Sequence, residues 1–149
     1  MVASTTFSGS KMLVLIGDGA TPTEVFTAPC GLTTKGLNRS AEANDTVVPD
    51  CTDPSLPVWT EREVVSLSWE VSGAGVLASE SVAMWDTWFK SGQPKNVRVE
   101  VYSGAAAGRK YSGAALLTQF NISGERGNKV TVDISLSGTG ALSEAAIAA

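Results

Sequence analysis

The 149-residue chain contains no histidine. That removes the usual general base of Ser-His-Asp and Cys-His nucleophile systems, and every His-ligated metal site. Two cysteines, Cys30 and Cys51, cannot build a standard structural zinc site without histidine partners. Carboxylate pairs are present as Asp50 with Asp53 and Glu61 with Glu63. A glycosidase would use such a pair only inside a rigid cleft, and here the acids sit in a proline-rich stretch where solvated charge is the simpler reading. Asp45, Asp50 and Asp53 offer oxygen donors but lack the spacing of an EF-hand loop. The segment GDGATPTE (17–24) lacks the Gly-Lys-Ser/Thr ending of a phosphate loop and leads into a strand, so Asp18-Gly19 reads as a hairpin turn. Tryptophans 59, 69, 85 and 88 could form a sugar-stacking platform. Trp69, Trp85 and Trp88, however, fall on apolar faces of their elements and read as core. Trp59 follows Pro57 in an irregular stretch and reads as an interface anchor. The chain is therefore expected not to be an enzyme and to need no metal or cofactor.

Composition narrows the class further. A formal charge of −4 and a modest charged fraction do not fit a basic nucleic-acid binder. No basic amphipathic run or apolar run of membrane-spanning length is present, and the apolar hexamer MLVLIG is too short for a signal core, so a soluble cytoplasmic product is expected. The Asn-x-Ser/Thr triplets at Asn38, Asn44 and Asn121 then read as chance. In a reducing compartment Cys30 and Cys51 are expected to be free thiols, with a disulfide between them as the alternative.

Fifteen glycines among alternating apolar and polar residues point to a strand-rich fold. Strand patterns cover KMLVLIG and the segment after Asp18-Gly19, then Leu32–Arg39. The clearest is Glu63–Gly73, where Val65, Leu67, Trp69 and Val71 alternate with Ser66, Ser68, Glu70 and Ser72. Others are KNVRVEVYSG, a longer and less regular RKYSGAALLTQFNISGERG with a glycine break, and NKVTVDISLSGTG, which sets Val130, Val132, Ile134 and Leu136 against Thr131, Asp133, Ser135 and Ser137. The period changes to helical in SESVAMWDTWFKSG, around 79–91. Ser79 or Ser81 would cap it, Val82, Trp85, Trp88 and Phe89 share one side, and Gly92 and Pro94 stop it. The resulting expectation is a single all-β domain over 1–149 with one helix. It would have two packed antiparallel sheets, a sandwich or flattened barrel, the helix flanking them. The alanine-rich 141–149 is read as a tail without assigned structure.

The stretch from 40 to 62 breaks the pattern. It is longer than ordinary structureless loops, and it holds prolines at 49, 54 and 57 beside Val47, Val48, Leu56, Val58 and Trp59. Such content fits a stiff projecting arm rather than disorder. The polar faces of the two clearest strands carry no lysine or arginine, which suits either an ordinary solvent face or a surface kept free of polyanion contacts.

In order along the chain, LIGDGATPTEVFTAPCGLTTKGLNRS, the acidic VPDCTDPSLPVWTERE, VVSLSWEVSGAGVLASESVAMWDTWFKSG and FNISGERGNKVTVDISLSGTG together resemble a bacteriophage tail tube protein of long non-contractile, siphophage-type tails. The most specific part is PDCTDP…WTER ahead of SLSWEVSGAG, and the likeness runs from about Leu13 to Gly140. The resemblance implies a structural virion protein whose hexameric rings stack into a tail tube, assembled in the host cytoplasm, with DNA passing through the lumen during ejection. It implies a lumen-facing set of Ser66, Ser68, Glu70, Thr131, Asp133 and Ser135. It implies an inter-ring loop at 40–62 whose contacts are Asp50, Asp53, Leu56 and Trp59, an N-terminal arm at 1–10 and a C-terminal tail at 141–149. Its partners would be copies of itself and other tail proteins (tape measure, tip, terminator), with no specific DNA binding and no membrane. Two alternatives stand beside it. One is a monomeric carbohydrate-binding β-sandwich, which requires exposed Trp85 and Trp88. The other is a tube or terminator protein of a contractile tail or related injection machine.

Overall fold

A computed structural model describes residues 6–19, 23–103 and 107–147. The first residues of the expected N-terminal arm and the last two of the expected tail lie outside the described residues, as do Ala20–Pro22 of the GDGATPTE segment. After a short 3-10 turn at Gly9–Lys11 come β1 (Met12–Gly17), β2 (Phe26–Thr27), β3 (Leu32–Thr46), β4 (Glu61–Val76), α1 (Ser79–Ser91), β5 (Lys95–Tyr102), β6 (Gly108–Ser123) and β7 (Thr131–Ile147). The chain divides into two compact units, one of Met1–Asn38 with Glu70–Ala149 and one of Arg39–Trp69.

The fold is all-β with one helix among the described residues, and the strands form one seven-stranded sheet in the order β2-β1-β5-β6-β7-β4-β3. The expectation of two packed sheets is corrected in that respect. Strand alternation prescribes a buried face but does not say what buries it. In the first unit the cover is α1, which packs against β6, with the Trp85 and Trp88 rings stacked 6.0 Å apart and Trp85 edge-on to Phe120. Each indole is 1% exposed, and Trp88 Nε1 donates to the Gln93 carbonyl oxygen at 2.9 Å, so the one polar atom of that buried ring is satisfied. The core facing them is Val14, Ile16, Val71, Val97, Val99, Ala115, Leu117, Val132, Ile134 and Leu136. Most of these are the apolar members of the alternations read from sequence.

Several local expectations are revised. Helix α1 is capped by Ala78 rather than by a serine side chain, and Ser81 is buried instead. Phe89 lies half exposed, because the fourth position of the expected stripe falls past the edge of the contact made by the two indoles. Gly92 closes the helix in the left-handed region at φ 65°, as the sequence indicated. The β1–β2 connection is longer than a two-residue turn. Asp18 Oδ1 accepts from Val25 N–H at 3.1 Å, and Glu24 Oε2 accepts from Gly19 N–H at 2.8 Å. As far as Ile147 the alanine-rich tail, to which the sequence assigned no structure, is strand: Ala145, Ala146 and Ile147 pair with Lys110, Arg109 and Gly108. An available partner strand overrides alanine's weak strand preference. Gly31, at φ 94°, sits so close to the Val76 carbonyl oxygen that any Cβ there would collide with it. That contact lets Val76 N–H donate to Gly31 O at 2.9 Å.

Candidate functional site

In the first unit β4, β7 and β6 run side by side. The register sets Glu70 opposite Ser137, Ser72 opposite Ser135, Ala74 opposite Asp133 and Val76 opposite Thr131. Across β7, Ser135 lies opposite Gln119, Asp133 opposite Asn121 and Thr131 opposite Ser123. Directly opposed residues share a face. Glu70, Thr131, Asp133 and Ser135 of the expected set are therefore brought onto one wall, together with Ser72, Ser137, Gln119, Asn121 and Ser123. The reverse face holds Val71, Val132, Ile134 and Leu136, all buried. Neither face of this block, 70–76, 116–123 and 131–137, contains a lysine or arginine, and the only charged side chains are Glu70 and Asp133.

Gln119, Asn121 and Ser123 were missed by sequence reasoning because a bulge between Leu117 and Gln119 resets the alternation of β6. Beyond the bulge, polar 119, 121 and 123 alternate with Phe120 and Ile122, and that local signal was present to be read.

Ser66 and Ser68 lie in the second unit and make different contacts. The Ser40 and Ser68 hydroxyls are 2.7 Å apart, and Ser66 Oγ donates to Glu42 Oε2 at 3.4 Å. Arg62 Nε donates to Asp45 Oδ1 at 2.9 Å in an exposed ion pair. These cross-strand contacts join the outer halves of β3 and β4, so the irregular stretch shrinks from the expected 40–62 to 47–60. A short extended hairpin near Thr46 was legible, but the full outer half of β3 was not, because its alternation rests only on Ala41 and Ala43, which have weak strand preference.

At the tip, two aspartates fold the chain back on itself. Asp50 Oδ1 accepts from Thr52 N–H at 2.8 Å, Thr52 Oγ1 at 2.6 Å and Asp53 N–H at 3.0 Å. Asp53 Oδ1 accepts from Ser55 N–H at 3.1 Å and Ser55 Oγ at 2.6 Å. The Thr52 hydroxyl, then the two backbone N–H groups, hold the Asp50 carboxyl below its ordinary value, and the Ser55 hydroxyl leads the same effect at Asp53. These acids are turn formers. Among the described residues no group of three or more His, Cys, Asp and Glu is arranged to hold a metal ion.

The tip and its strands leave apolar side chains in solvent. Trp59 is 94% exposed, and Val47, Val48, Leu56, Val64, Val65 and Leu67 are all more than half exposed. For Val65 and Leu67 this corrects the expectation of a buried strand face. In the second unit's paired strands, no second layer among the described residues covers them. Cys30 and Cys51 are free thiols and exposed. Trp85 and Trp88 are buried, which removes the aromatic platform that a carbohydrate-binding reading needs.

The model of the phage tail tube protein family matches residues 6–144. Among solved structures, the chain is similar to one in the virion of a native gene transfer agent particle, at 20% identity and TM-score 0.71, covering 95% of this chain and 98% of that one. It is similar to the SPP1 tail tube at 13% identity and TM-score 0.64, covering 97% and 80%. It is also similar to a chain of the anti-feeding prophage baseplate at 12% identity and TM-score 0.66, covering 97% of each. No curated protein sequence matches the chain.

Proposed function

Since the chain belongs to the phage tail tube protein family, we propose that it forms hexameric rings that stack into the tail tube of a virion, and that DNA passes through the channel during ejection. The observation that carries the channel reading is the cation-free polar wall formed by 70–76, 131–137 and 116–123, with Glu70 and Asp133 as its only charges. A polyanion moving along such a wall meets hydroxyls, amides and sparse negative charge. It finds no site at which counterion release would hold it. Glu70, Thr131, Asp133 and Ser135 face the lumen on this reading. The six-fold symmetry used for the tail of an empty gene transfer agent particle, a structure of similar fold, supports the ring size.

The second unit supplies the axial contact. Leu56 and Trp59 dock on a subunit of the adjacent ring, and Asp50 and Asp53 shape the turns that present them. Ordering the tip before docking reduces what association must overcome. Its partners are copies of itself along the tube and the other tail proteins at either end, without sequence-specific DNA contact. A tail of the non-contractile, siphophage type is the favoured setting. The likeness to a chain of the anti-feeding prophage baseplate keeps a contractile or related injection machine as the second reading.

The test is electron microscopy of the purified chain with a sedimentation measurement, repeated after adding a tail-tip extract. Six-fold rings or tubes are expected. A chain that stays monomeric even with tip extract would overturn the tube reading.

A further inference from the structure

The connection between β1 and β2 holds an electrophile, a nucleophile and a base that neither the polar wall nor the tip uses. Asp18 and Gly19 form the one Asp-Gly pair of the chain. Without a Cβ on Gly19, its backbone nitrogen can close on the preceding carboxyl unhindered. Two polar groups stand where that attack needs them. Glu24 Oε2 accepts from Gly19 N–H at 2.8 Å, and Val25 N–H donates to Asp18 Oδ1 at 3.1 Å. The first is a carboxylate on the nitrogen that must lose its proton, and the second is a donor on an oxygen that must take up negative charge. Glu24 is itself held in place. Asn96 Nδ2 donates to its Oε1 at 2.9 Å. Its carboxyl atoms lie 2.6 to 2.8 Å from where a Cβ on residue 17 would be, so Gly17 leaves the space it occupies. Asp18 and Gly19 are exposed, and a cleft of about 280 Å³ opens beside them, lined also by Ser91, Gln93 and Lys95. Water therefore reaches the pair.

We propose that Asp18–Gly19 is a self-modification site, where the Gly19 nitrogen closes on the Asp18 side chain to a succinimide that opens to isoaspartate, with Glu24 as the base. In the first step the bond from Gly19 N to Asp18 Cγ forms, Glu24 takes the proton from that nitrogen, and the hydroxyl of the protonated Asp18 carboxyl leaves as water. In the second step water adds to the ring. Addition at Cγ restores aspartate. Addition at the main-chain carbonyl carbon routes the chain through Cγ, lengthens it by one methylene and leaves a carboxylate on Cα. The balance is one water lost and one water gained. The lengthened link no longer fits the two bonds that join Asp18 to Val25, one from Asp18 N–H to Val25 O at 3.1 Å and one from Val25 N–H to Asp18 Oδ1. The short pairing of Ile16 with Thr27 and Gly17 with Phe26 then loses its closure, so the β2 edge of the sheet loosens as the chain ages. This chemistry is independent of the tube reading.

The experiment incubates the purified full chain at neutral pH beside its Glu24→Gln variant and a peptide of residues 15–23, which has the Asp-Gly pair but neither the fold nor Glu24. Isoaspartate is read by enzymatic methylation of its free carboxyl and located by mass spectrometric fragmentation; the succinimide is read as the loss of one water. In the full chain, isoaspartate at position 18 is expected to form about tenfold or more faster than in the peptide, under the roughly 10²–10⁴ that a positioned base contributes in enzyme sites. Glu24→Gln keeps an oxygen to accept from Gly19 N–H but cannot take its proton, and its rate should fall to that of the peptide. A full chain no faster than the peptide would overturn the proposal without recourse to any variant. A Glu24→Gln rate equal to that of the unchanged chain would overturn the role of Glu24 as base.

Discussion

Replacing Trp59 with alanine separates folding from assembly. Trp59 is 94% exposed, so its removal takes nothing from the core, and the unfolding free energy of the monomer should stay within the range of neutral surface changes, about ±0.5 kcal/mol. On docking, an indole buries roughly 150–250 Å². At about 25 cal/mol per Å² that area is worth on the order of 4–6 kcal/mol before any cost is subtracted, and anchors of this kind lose about 2–4 kcal/mol on truncation. Even the lower figure weakens each contact about thirtyfold. Six such contacts act together when one ring adds to another, so the loss compounds and elongation should stop. The assay is pelleting of polymer against chain concentration, with negative-stain images of the supernatant and a parallel thermal melt. Tubes of normal length at normal concentration would refute the axial role of Trp59. A large drop in melting temperature would refute the premise that it stands free of the core.

Four further outcomes are expected. Exchanging Glu70 and Asp133 for lysine should spare assembly but slow DNA ejection, most strongly at low salt where screening is weak; unchanged ejection kinetics would remove these residues from a role in the wall. Trp85→Ala should cost about 3–5 kcal/mol in a denaturant melt, because a 1% exposed ring that packs on Trp88 and Phe120 leaves a cavity. Gly31→Ala combines a left-handed φ of 94° with a collision at the Val76 carbonyl oxygen and should cost about 2–3 kcal/mol. The Asp50 and Asp53 carboxyls titrate below the ordinary value of 3.8 in the folded chain. A depressed folded pKa means that their turns are held at neutral pH and lost as pH falls below that value through the folded pKa. Carboxyl NMR should show midpoints under 3.8 and loss of amide protection at Thr52 and Ser55 over the same range. Ordinary midpoints would mean that the hydrogen bonds are not formed in solution.

What the sequence determined by itself is local and periodic. Val97 and Val99, Val132, Ile134 and Leu136, and the helical pair Trp85 and Trp88 announced their burial because side-chain direction follows the period of the element. Gly92 announced the end of the helix, and the absence of histidine closed off whole classes of chemistry. The polar face of 131–135 was equally plain. Only the tertiary structure decided which strands lie beside one another: the pairing of β4 with β7 and β7 with β6 that gathers Glu70, Asp133, Gln119 and Asn121 onto one wall depends on contacts far apart in sequence. It also decided where the same alternation stops meaning burial. Val65 and Leu67 follow the pattern of Val71 without a single sign in the sequence that their cover is missing, because periodicity fixes which way a side chain points and not what, or which molecule, it meets there.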